Sequence, residues 1–284
     1  MRKLDIMFLG NQVENEIEAY LLGYIYADGC ISQYQSNKFR QLSFGISNKD
    51  IKFLQKIADI FNQYLDKNYI IKYIDKTNSI KLTICDSEII GNLVKLGIAH
   101  RKTYDNNSFV FDNVPKELKW HFIRGYFDGD GSICFRSADR RCCVGFVSLN
   151  NILLNSISNF INEYFEIQFT KVRLDGKYSR INFGGNVKCK KFLDVLYKDA
   201  TLYLERKYIL YKNIPIYKKR NKYKGVHWYK KNKKWGVSIY IKSIKKKIFL
   251  GLFKTIKECI DKYNEMAVLN NQPTQNYEGE IQYE

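Results

Sequence analysis

Two aspartates, Asp28 and Asp130, stand at the ends of two similar apolar stretches. The first stretch, 19–31, reads "AYLLGYIYADGCI", and the second, 121–133, reads "HFIRGYFDGDGSI". Each predicts a helix that ends at an Asp-Gly pair. A carboxylate in the last turn lies at the negative end of the helix dipole, where it is unfavourable. The two positions therefore suggest that the carboxylates serve chemistry rather than helix stability.

Small residues recur four positions apart in both helices. The first helix has Gly23 with Ala27, and the second has Gly125 with Gly129. Residues four apart lie on one face of a helix, so each helix presents a strip of nearly bare backbone. Two such strips can pack at very short distance. This pairing would place the two aspartates side by side.

Two neighbouring carboxylates repel each other unless a cation lies between them. Carboxylate and carbonyl oxygens are hard ligands, which makes Mg²⁺ the expected ion. The predicted ligands are Asp28, Asp130 and the adjacent residues Ala27 and Gly129 at the helix ends. Metal ions bridging two carboxylates in a basic protein suit phosphodiester hydrolysis, because they activate water and stabilise the leaving oxygen.

The similarity continues after both motifs. Asn15 with Glu18 predicts a capping box before the first helix, and Pro115 suits the first position of the second. The first copy predicts strands at 30–36, 39–47, 68–75 and 79–84 and helices at 48–65 and 86–96. The second copy predicts strands at 132–137, 141–148, 167–174 and 178–184 and helices at 150–165 and 187–199. The sequence therefore predicts an α+β fold of two pseudo-symmetric αββαββα halves.

The composition indicates a folded protein with a polyanionic partner. The 284 residues include 47 Lys and Arg against 29 Asp and Glu, giving a formal net charge of +18. Nucleic acid is the first expectation and an anionic membrane surface the second. No apolar run is long enough to span a membrane, and the N-terminus is not a convincing signal peptide. Seven cysteines without a Cys-x-x-Cys pattern read as reduced thiols.

A strongly basic segment begins near Tyr217. Thirteen Lys or Arg and no acidic residue lie between Tyr217 and Leu250. Within it, "WGVSIYI" alternates as a strand, and Thr255 with Glu258 forms a capping box before an amphipathic helix. This predicts a small three-stranded sheet on one helix. The basic residues of this segment either form a solvent-exposed surface or, as we favour, contact DNA.

The stretches "LLGYIYADG" (21–29) and "IRGYFDGDG" (123–131) resemble the two signature motifs of double-motif LAGLIDADG homing endonucleases. The resemblance covers about residues 10–215. It implies that the motif helices form the interface of two halves whose sheets saddle the DNA major groove. The sixth motif position departs from the pattern in the first copy, which has Tyr26 where the second has Asp128.

In that family the eighth motif position is the catalytic aspartate, which corresponds here to Asp28 and Asp130. Two or three Mg²⁺ ions would lie between the motif helices. The resemblance also implies basic residues near the cleaved phosphates. Lys102 and Lys207, from the Arg-Lys pair that closes each half, match best, although they could be ordinary solvated charges.

The C-terminal segment from "YKGVHWYKKNKKWGVSIYIK" onward is similar to the AP2 domain of plant transcription factors and some mobile endonucleases. In AP2 domains the outer face of the sheet lies in the major groove. Lys230 and Lys234 would flank that face. By alternation the face carries Lys224, Ser238, Tyr240 and Lys247.

The predicted organisation has a first half at 1–106, a second half at 107–216, an AP2-like domain at 217–271 and a flexible tail at 272–284. The predicted function is a monomeric, Mg²⁺-dependent endonuclease that cuts a long asymmetric site on double-stranded DNA and leaves 3′ overhangs. Such a protein would serve intron homing or another mobile element. It would be located in the cytoplasm or in an organellar matrix. The alternative is a binding protein on the same scaffold, either a maturase acting on intron RNA or a transcriptional regulator.

Overall fold

The structure is a computed structural model that describes residues 9, 10, 12–33, 40–98, 108–136, 141–215 and 223–275. The chain divides into two compact units, Met1–Ile216 and Tyr217–Glu284. No helix among the described residues is long and apolar enough to cross a membrane.

The first unit contains the same series of elements twice. The first series is α1 (Glu16–Asp28), β1 (Gly29–Gln33), β2 (Arg40–Ser47), α2 (Ile51–Leu65), β3 (Lys72–Ile74), β4 (Ser79–Ile84) and α3 (Ser87–Lys95). A short helix α4 (Phe109–Asp112) precedes the second series. That series is α5 (Lys119–Asp130), β5 (Gly131–Phe135), β6 (Cys142–Ser148), α6 (Asn151–Phe165), β7 (Val172–Asp175), β8 (Tyr178–Gly184) and α7 (Asn186–Leu196), followed by α8 (Glu205–Lys212).

The two sheets of this unit have the same topology. Their strand orders are β1-β2-β4-β3 and β5-β6-β8-β7, and all pairs are antiparallel. This confirms the predicted α+β fold and its repeat.

Equivalent buried positions, nearly all of them apolar, explain why α2 and α6 form and pack alike. The buried residues of α2 are Phe53, Leu54, Ile57, Ala58 and Phe61. Those of α6 are Leu153, Leu154, Ile157, Ser158 and Ile161. Both sets follow the spacing i, i+1, i+4, i+5, i+8, which places them on one helix face. Each helix therefore has one buried face and one solvent-exposed face.

The motif helices differ from this pattern because they are buried nearly all round. Every residue from Glu18 to Tyr26 is buried in α1, and so is every residue from 122 to 128 in α5. The side chain of Asn15 caps α1 through the backbone N–H groups of Ile17 and Glu18. The Glu18 carboxylate accepts from the N–H of Glu14 at 2.8 Å rather than completing the predicted box.

Several helices and strands begin or end at residues other than those predicted. Pro115 does not begin α5, because a 3-10 turn at Lys116–Leu118 lies between them. The first strand of each second hairpin is shorter than predicted. Helix α2 begins after a 3-10 turn at Asn48–Asp50, whereas α6 begins directly after its cap, Asn150. Gly29 and Gly131 have extended backbones and begin the following strands directly.

The second unit contains β9 (Val226–Tyr229), β10 (Lys234–Ile241), β11 (Lys246–Phe253) and α9 (Ile256–Leu269). The strands pair in the order β11-β10-β9. Thr255 and Glu258 form the predicted capping box of α9. The core residues are Tyr223, Val226, Val237, Ile239, Ile241, Cys259, Ile260, Tyr263 and Ala267. The predicted small sheet on one helix is therefore present.

Ser238 corrects the predicted outer face of this sheet. Ser238 is only 7% exposed, although it lies on the same face of β10 as the exposed Tyr240, as the alternation predicts. Its backbone N–H donates to the carbonyl of Gly225 at 2.9 Å, and Phe249 stands opposite it across the strands. A register shift between Val237 and Ser238 accompanies this arrangement. Ser238 is thus covered by its neighbours and offers little surface to a partner.

Candidate active site

The two motif helices touch backbone to backbone. A Cβ atom added to Gly125 would lie 1.9 Å from the carbonyl oxygen of Tyr20. One added to Gly23 would lie 2.1 Å from the carbonyl oxygen of Phe122. Side-chain carbons do not approach other atoms so closely, so only glycine fits at either crossing. The predicted strip of small residues is therefore the contact surface of α1 and α5.

The contact continues to the C-terminal ends of both helices. A Cβ atom on Gly129 would lie 2.3 Å from the Cβ of Ala27 and 3.4 Å from Oδ2 of Asp28. Asp130 and Ala27 line one cavity of about 220 Å³. Both aspartates are exposed. The structure thus brings the four predicted metal-binding residues together at one end of the helix pair.

The donors at this end fit a magnesium ion. Within the described residues, no three His, Cys, Asp or Glu side chains group together as a metal site. A cation here would therefore depend on the two carboxylates, the carbonyls of Ala27 and Gly129, and oxygens from water or phosphate. Mg²⁺ is bound in this way in phosphate-processing sites, where it keeps several waters and takes one or two carboxylates.

A tyrosine lies one turn before each aspartate, and the one before Asp28 makes a hydrogen bond with it. Burial raises the pKa of Tyr24 well above its usual range, and the charge of Asp28, to which its hydroxyl donates a hydrogen bond, raises it further. Tyr126 occupies the same position before Asp130. Burial also raises the pKa of Tyr126, and the charge of Asp130 adds to the effect.

Lys207 lies at the end of the second motif helix. Its Nζ donates to the carbonyl oxygens of Phe127 at 2.6 Å, Asp128 at 2.8 Å and Gly129 at 3.2 Å. The residue is only 3% exposed. Burial lowers the pKa of Lys207 to about 8, although the negative charges of Asp128, Asp28 and Asp130 oppose this shift.

Asp128 is the buried acid beneath this lysine. One of its oxygens accepts from the Tyr20 hydroxyl at 2.8 Å and from the backbone N–H of Leu204 at 2.8 Å. The other oxygen accepts from the Tyr197 hydroxyl at 3.0 Å. Burial raises the pKa of Asp128 to about 6, against the opposing effects of Lys207 and these hydrogen bonds.

Tyr26 fills the corresponding motif position in the first repeat, where it makes a different contact. Its hydroxyl accepts a hydrogen bond from Nδ2 of Asn150 at 2.8 Å. The Asn150 side chain also caps α6 by accepting from the N–H of Leu153 at 2.9 Å. Tyr26 and Asn150 therefore form one hydrogen-bonded wall of the cavity that Asp130 also lines.

The comparison with protein families falls on the first of these repeats. Residues 15–96 match the family of the LAGLIDADG-like domain. This segment is thus a LAGLIDADG-like domain by sequence. The match spans α1 to α3, and the second series of elements follows the same order from α5 to α7.

Two curated proteins share partial similarity with this chain. A DNA polymerase of Acanthamoeba polyphaga mimivirus is 28% identical over 133 residues, which are 42% of this chain and 7% of that protein. An uncharacterized protein of Methanocaldococcus jannaschii is 29% identical over 149 residues, which are 49% of this chain and 16% of that protein. The chain thus spans only a small part of the length of either relative.

Several solved structures are similar to this chain. The LAGLIDADG meganuclease I-CpaMI bound to uncleaved DNA is 14% identical, with a TM-score of 0.48 over 70% of this chain and 90% of that one. I-SmaMI bound to an uncleaved DNA target with calcium ions is 11% identical, with a TM-score of 0.46 over 70% and 90% of the two chains.

The predicted site residues of the two repeats fall into two groups. Asp28, Ala27, Asp130 and Gly129 lie together, and Lys207 lies against the carbonyls of the second motif helix. Lys102 lies outside the described residues. The catalytic and metal-binding roles themselves stay predictions.

Three residues of the site carried no clear signal in the sequence. Asp128 stood out only as a difference between the two motif copies, and Tyr20 and Tyr197 resembled ordinary core tyrosines. Their hydrogen bonds join positions 108 and 69 residues apart. A tyrosine facing a buried acid across such separations has no local pattern that would reveal it.

Most of the residues predicted to contact DNA in the second unit are accessible. Lys224, Lys230, Lys234, Tyr240 and Lys247 are exposed, whereas Ser238 is buried. Tyr240 and Lys247 stand opposite each other on β10 and β11. The segment 223–255 has ten lysines and no acidic residue, whereas α9 contains Glu258, Asp261 and Glu265. Positive charge is therefore concentrated on the sheet side of this unit.

Proposed function

We propose that this chain is a site-specific DNA endonuclease of the homing type that hydrolyses one phosphodiester bond in each strand with Mg²⁺. The observation that carries the proposal is the pair of exposed aspartates, one from each repeat, at one end of a helix pair whose backbones touch. The LAGLIDADG-like domain supports the same class of activity. The net charge of +18 suits a DNA partner.

Asp28 and Asp130, with the carbonyls of Ala27 and Gly129, would hold the ion. Bound Mg²⁺ supplies a Lewis acid and lowers the pKa of a water molecule. Tyr24 orients the carboxylate of Asp28 through its hydrogen bond. Lys207 places a fixed positive charge close to both aspartates, where negative charge on a cleaved phosphate would be stabilised.

The two repeats differ in sequence, which favours a monomer acting on a long asymmetric site. We further propose that the cuts leave 3′ overhangs, and that the chain serves intron homing or another mobile element. The second unit would act as an AP2-like domain that contacts DNA at one end of the site through the lysines of its sheet. Such a protein works where its DNA lies, in the cytoplasm or an organellar matrix.

A selection for cleaved sequences from a random duplex library tests the proposal. We expect linear products from a particular sequence in Mg²⁺ and none in EDTA, because the donors at the helix ends require a divalent ion to act. Plasmid with the selected site replaced by a scrambled site is the control. If the chain shifts DNA under both conditions and cuts under neither, it is a DNA-binding or RNA-binding protein on this scaffold instead.

A pair of lysine substitutions tests the role of the second unit. We expect Lys234→Gln with Lys247→Gln to weaken DNA binding, because each phosphate contact contributes about 0.9 to the slope of log affinity against log salt. The slope should fall by about 0.9 for each lysine that contacts a phosphate, as measured by fluorescence anisotropy across a salt series. The cut positions should stay the same.

The matched control is Lys257→Gln with Lys262→Gln, which removes the same charge from α9, on the side that contains the acidic residues. We expect this pair to change the slope much less. Equal slopes for the two double variants would contradict a DNA contact at the sheet and leave only the effect of net charge.

A further inference from the structure

The helices α5 and α8 hold each other by reciprocal contacts. The Asp128 carboxylate of α5 accepts a hydrogen bond from the backbone N–H of Leu204, the residue before α8. In return, Lys207 of α8 donates to the last carbonyls of α5. Lys207 follows Leu204 by less than one helical turn. Fixing the backbone at Leu204 therefore fixes the origin of the Lys207 side chain relative to α5.

We propose that Asp128 is a positioning residue that holds the ammonium group of Lys207 beside Asp28 and Asp130 for cleavage of one DNA strand. This inference rests on the proposed endonuclease function. It assigns a role to the sixth position of the second motif. It also means that the two halves of the site differ, because the first motif has Tyr26 at that position.

The burial of both charges supports a task beyond anchoring. Asp128 is 1% exposed and Lys207 is 3% exposed. A buried acid and base often contribute no more stability than apolar residues of similar volume, because desolvation offsets their attraction. Apolar residues could therefore attach α8 to α5 equally well. What they could not do is hold a positive charge at the end of α5.

The ammonium group is held with its donors fully used. An ammonium has three N–H donors, and three carbonyl oxygens of α5 accept from Lys207. These carbonyls lie at the negative end of the helix dipole, which favours a cation. The lysine is therefore oriented before substrate arrives, as electrostatic catalysis requires.

The described residues of the first repeat place a tyrosine where the second repeat has this acid. The Tyr26 hydroxyl contacts Asn150 of the second repeat and so supports the cap of α6. Loss of Asp128 should therefore affect one of the two strand cuts. Loss of a general structural support would slow both.

Strand-resolved cleavage of a doubly labelled duplex tests this proposal. We expect Asp128→Asn, which preserves volume, to slow one strand at least tenfold more than the other, so that nicked DNA accumulates. Lys207→Met should slow the same strand. Because Asp128 acts through Lys207, the double variant should cut no more slowly than Lys207→Met alone.

Glu18→Gln is the matched control. Glu18 is also a fully buried carboxylate, and it accepts from the backbone N–H of Glu14 at 2.8 Å. It lies at the opposite end of α1 from Asp28. We expect the control to lower the melting temperature while the ratio of the two strand rates stays the same as in the parent.

A second measurement does not depend on activity. Competitive acetylation followed by mass spectrometry should show Lys207 protected in the parent and in Glu18→Gln, and at least several-fold more reactive in Asp128→Asn. Unchanged protection in Asp128→Asn, equal slowing of both strands, or additive effects in the double variant would each overturn the proposal. A parent that cuts no DNA while Lys207 becomes reactive in Asp128→Asn would contradict the proposed function and leave the positioning contact intact.

Discussion

Asp28→Asn and Asp130→Asn should each abolish double-strand cleavage while DNA binding in Ca²⁺ stays close to that of the parent. Each substitution preserves shape and removes the charge that would bind the ion. Loss of a residue that only supports a metal ligand typically costs 10–100-fold, so loss of a ligand should cost more than about 100-fold. Single-turnover cleavage in Mg²⁺ and anisotropy in Ca²⁺ give the two measurements.

Asp59→Asn is the control for these variants, because Asp59 is an exposed carboxylate on α2, far along the sequence from both motifs, that accepts a hydrogen bond from Gln55. It should cut at the rate of the parent. Normal double-strand cleavage by either motif variant would remove the aspartates from the active site. Loss of binding together with cleavage would instead indicate a folding defect.

Gly125→Ala should destabilise the first unit strongly although it adds a single methyl group. The new Cβ would lie 1.9 Å from the backbone carbonyl oxygen of Tyr20, and backbone cannot move aside as a side chain can. Overpacking usually costs about 1–3 kcal/mol, and a clash with backbone should reach the upper end of that range or exceed it. Thermal unfolding followed by circular dichroism measures the loss. Gly125→Leu should be worse.

The same substitution in another helix provides the control. A Cβ atom on Gly91 of α3 would have no neighbour within 4 Å. Because alanine has a higher helix propensity than glycine, Gly91→Ala should stabilise the protein by up to about 1 kcal/mol. The two alanine substitutions should therefore have opposite signs. If Gly125→Ala melts at or above the melting temperature of the parent, the backbones of α1 and α5 are not in close contact at Gly125.

The repeat and the helix pair could be predicted because their causes are local in the sequence. Alternation and helical periodicity recur in both copies, which was enough to predict two equivalent four-stranded sheets. Gly23 and Gly125 each lie four residues from another small residue, and that spacing indicated the close contact directly. The position of Asp28 and Asp130 at the helix ends followed from the same pattern.

Other features depend on contacts that no local pattern contains. Lys207 lies against carbonyls about eighty residues earlier in the chain, and Asp128 binds an N–H group 76 residues later. Ser238 alternates like an exposed strand residue, yet it is 7% exposed, between Gly225 on one side and Phe249 on the other. Trp228 is a large aromatic side chain of the second unit, yet it is 46% exposed. In each case the neighbouring element decides burial, and that element is distant in sequence.

The backbone contact at Gly23 and Gly125 has a consequence for how this protein could change over generations. It sets the spacing of the two helices through main-chain atoms rather than through side chains that a substitution would replace. The exposed strand residues of the two sheets have no part in that contact. Under the proposed function, such residues could drift toward new target sequences while the stagger between the two cuts was inherited unchanged. Recognition and cutting geometry could then evolve separately, so retargeting would not require the cleavage centre to be rebuilt.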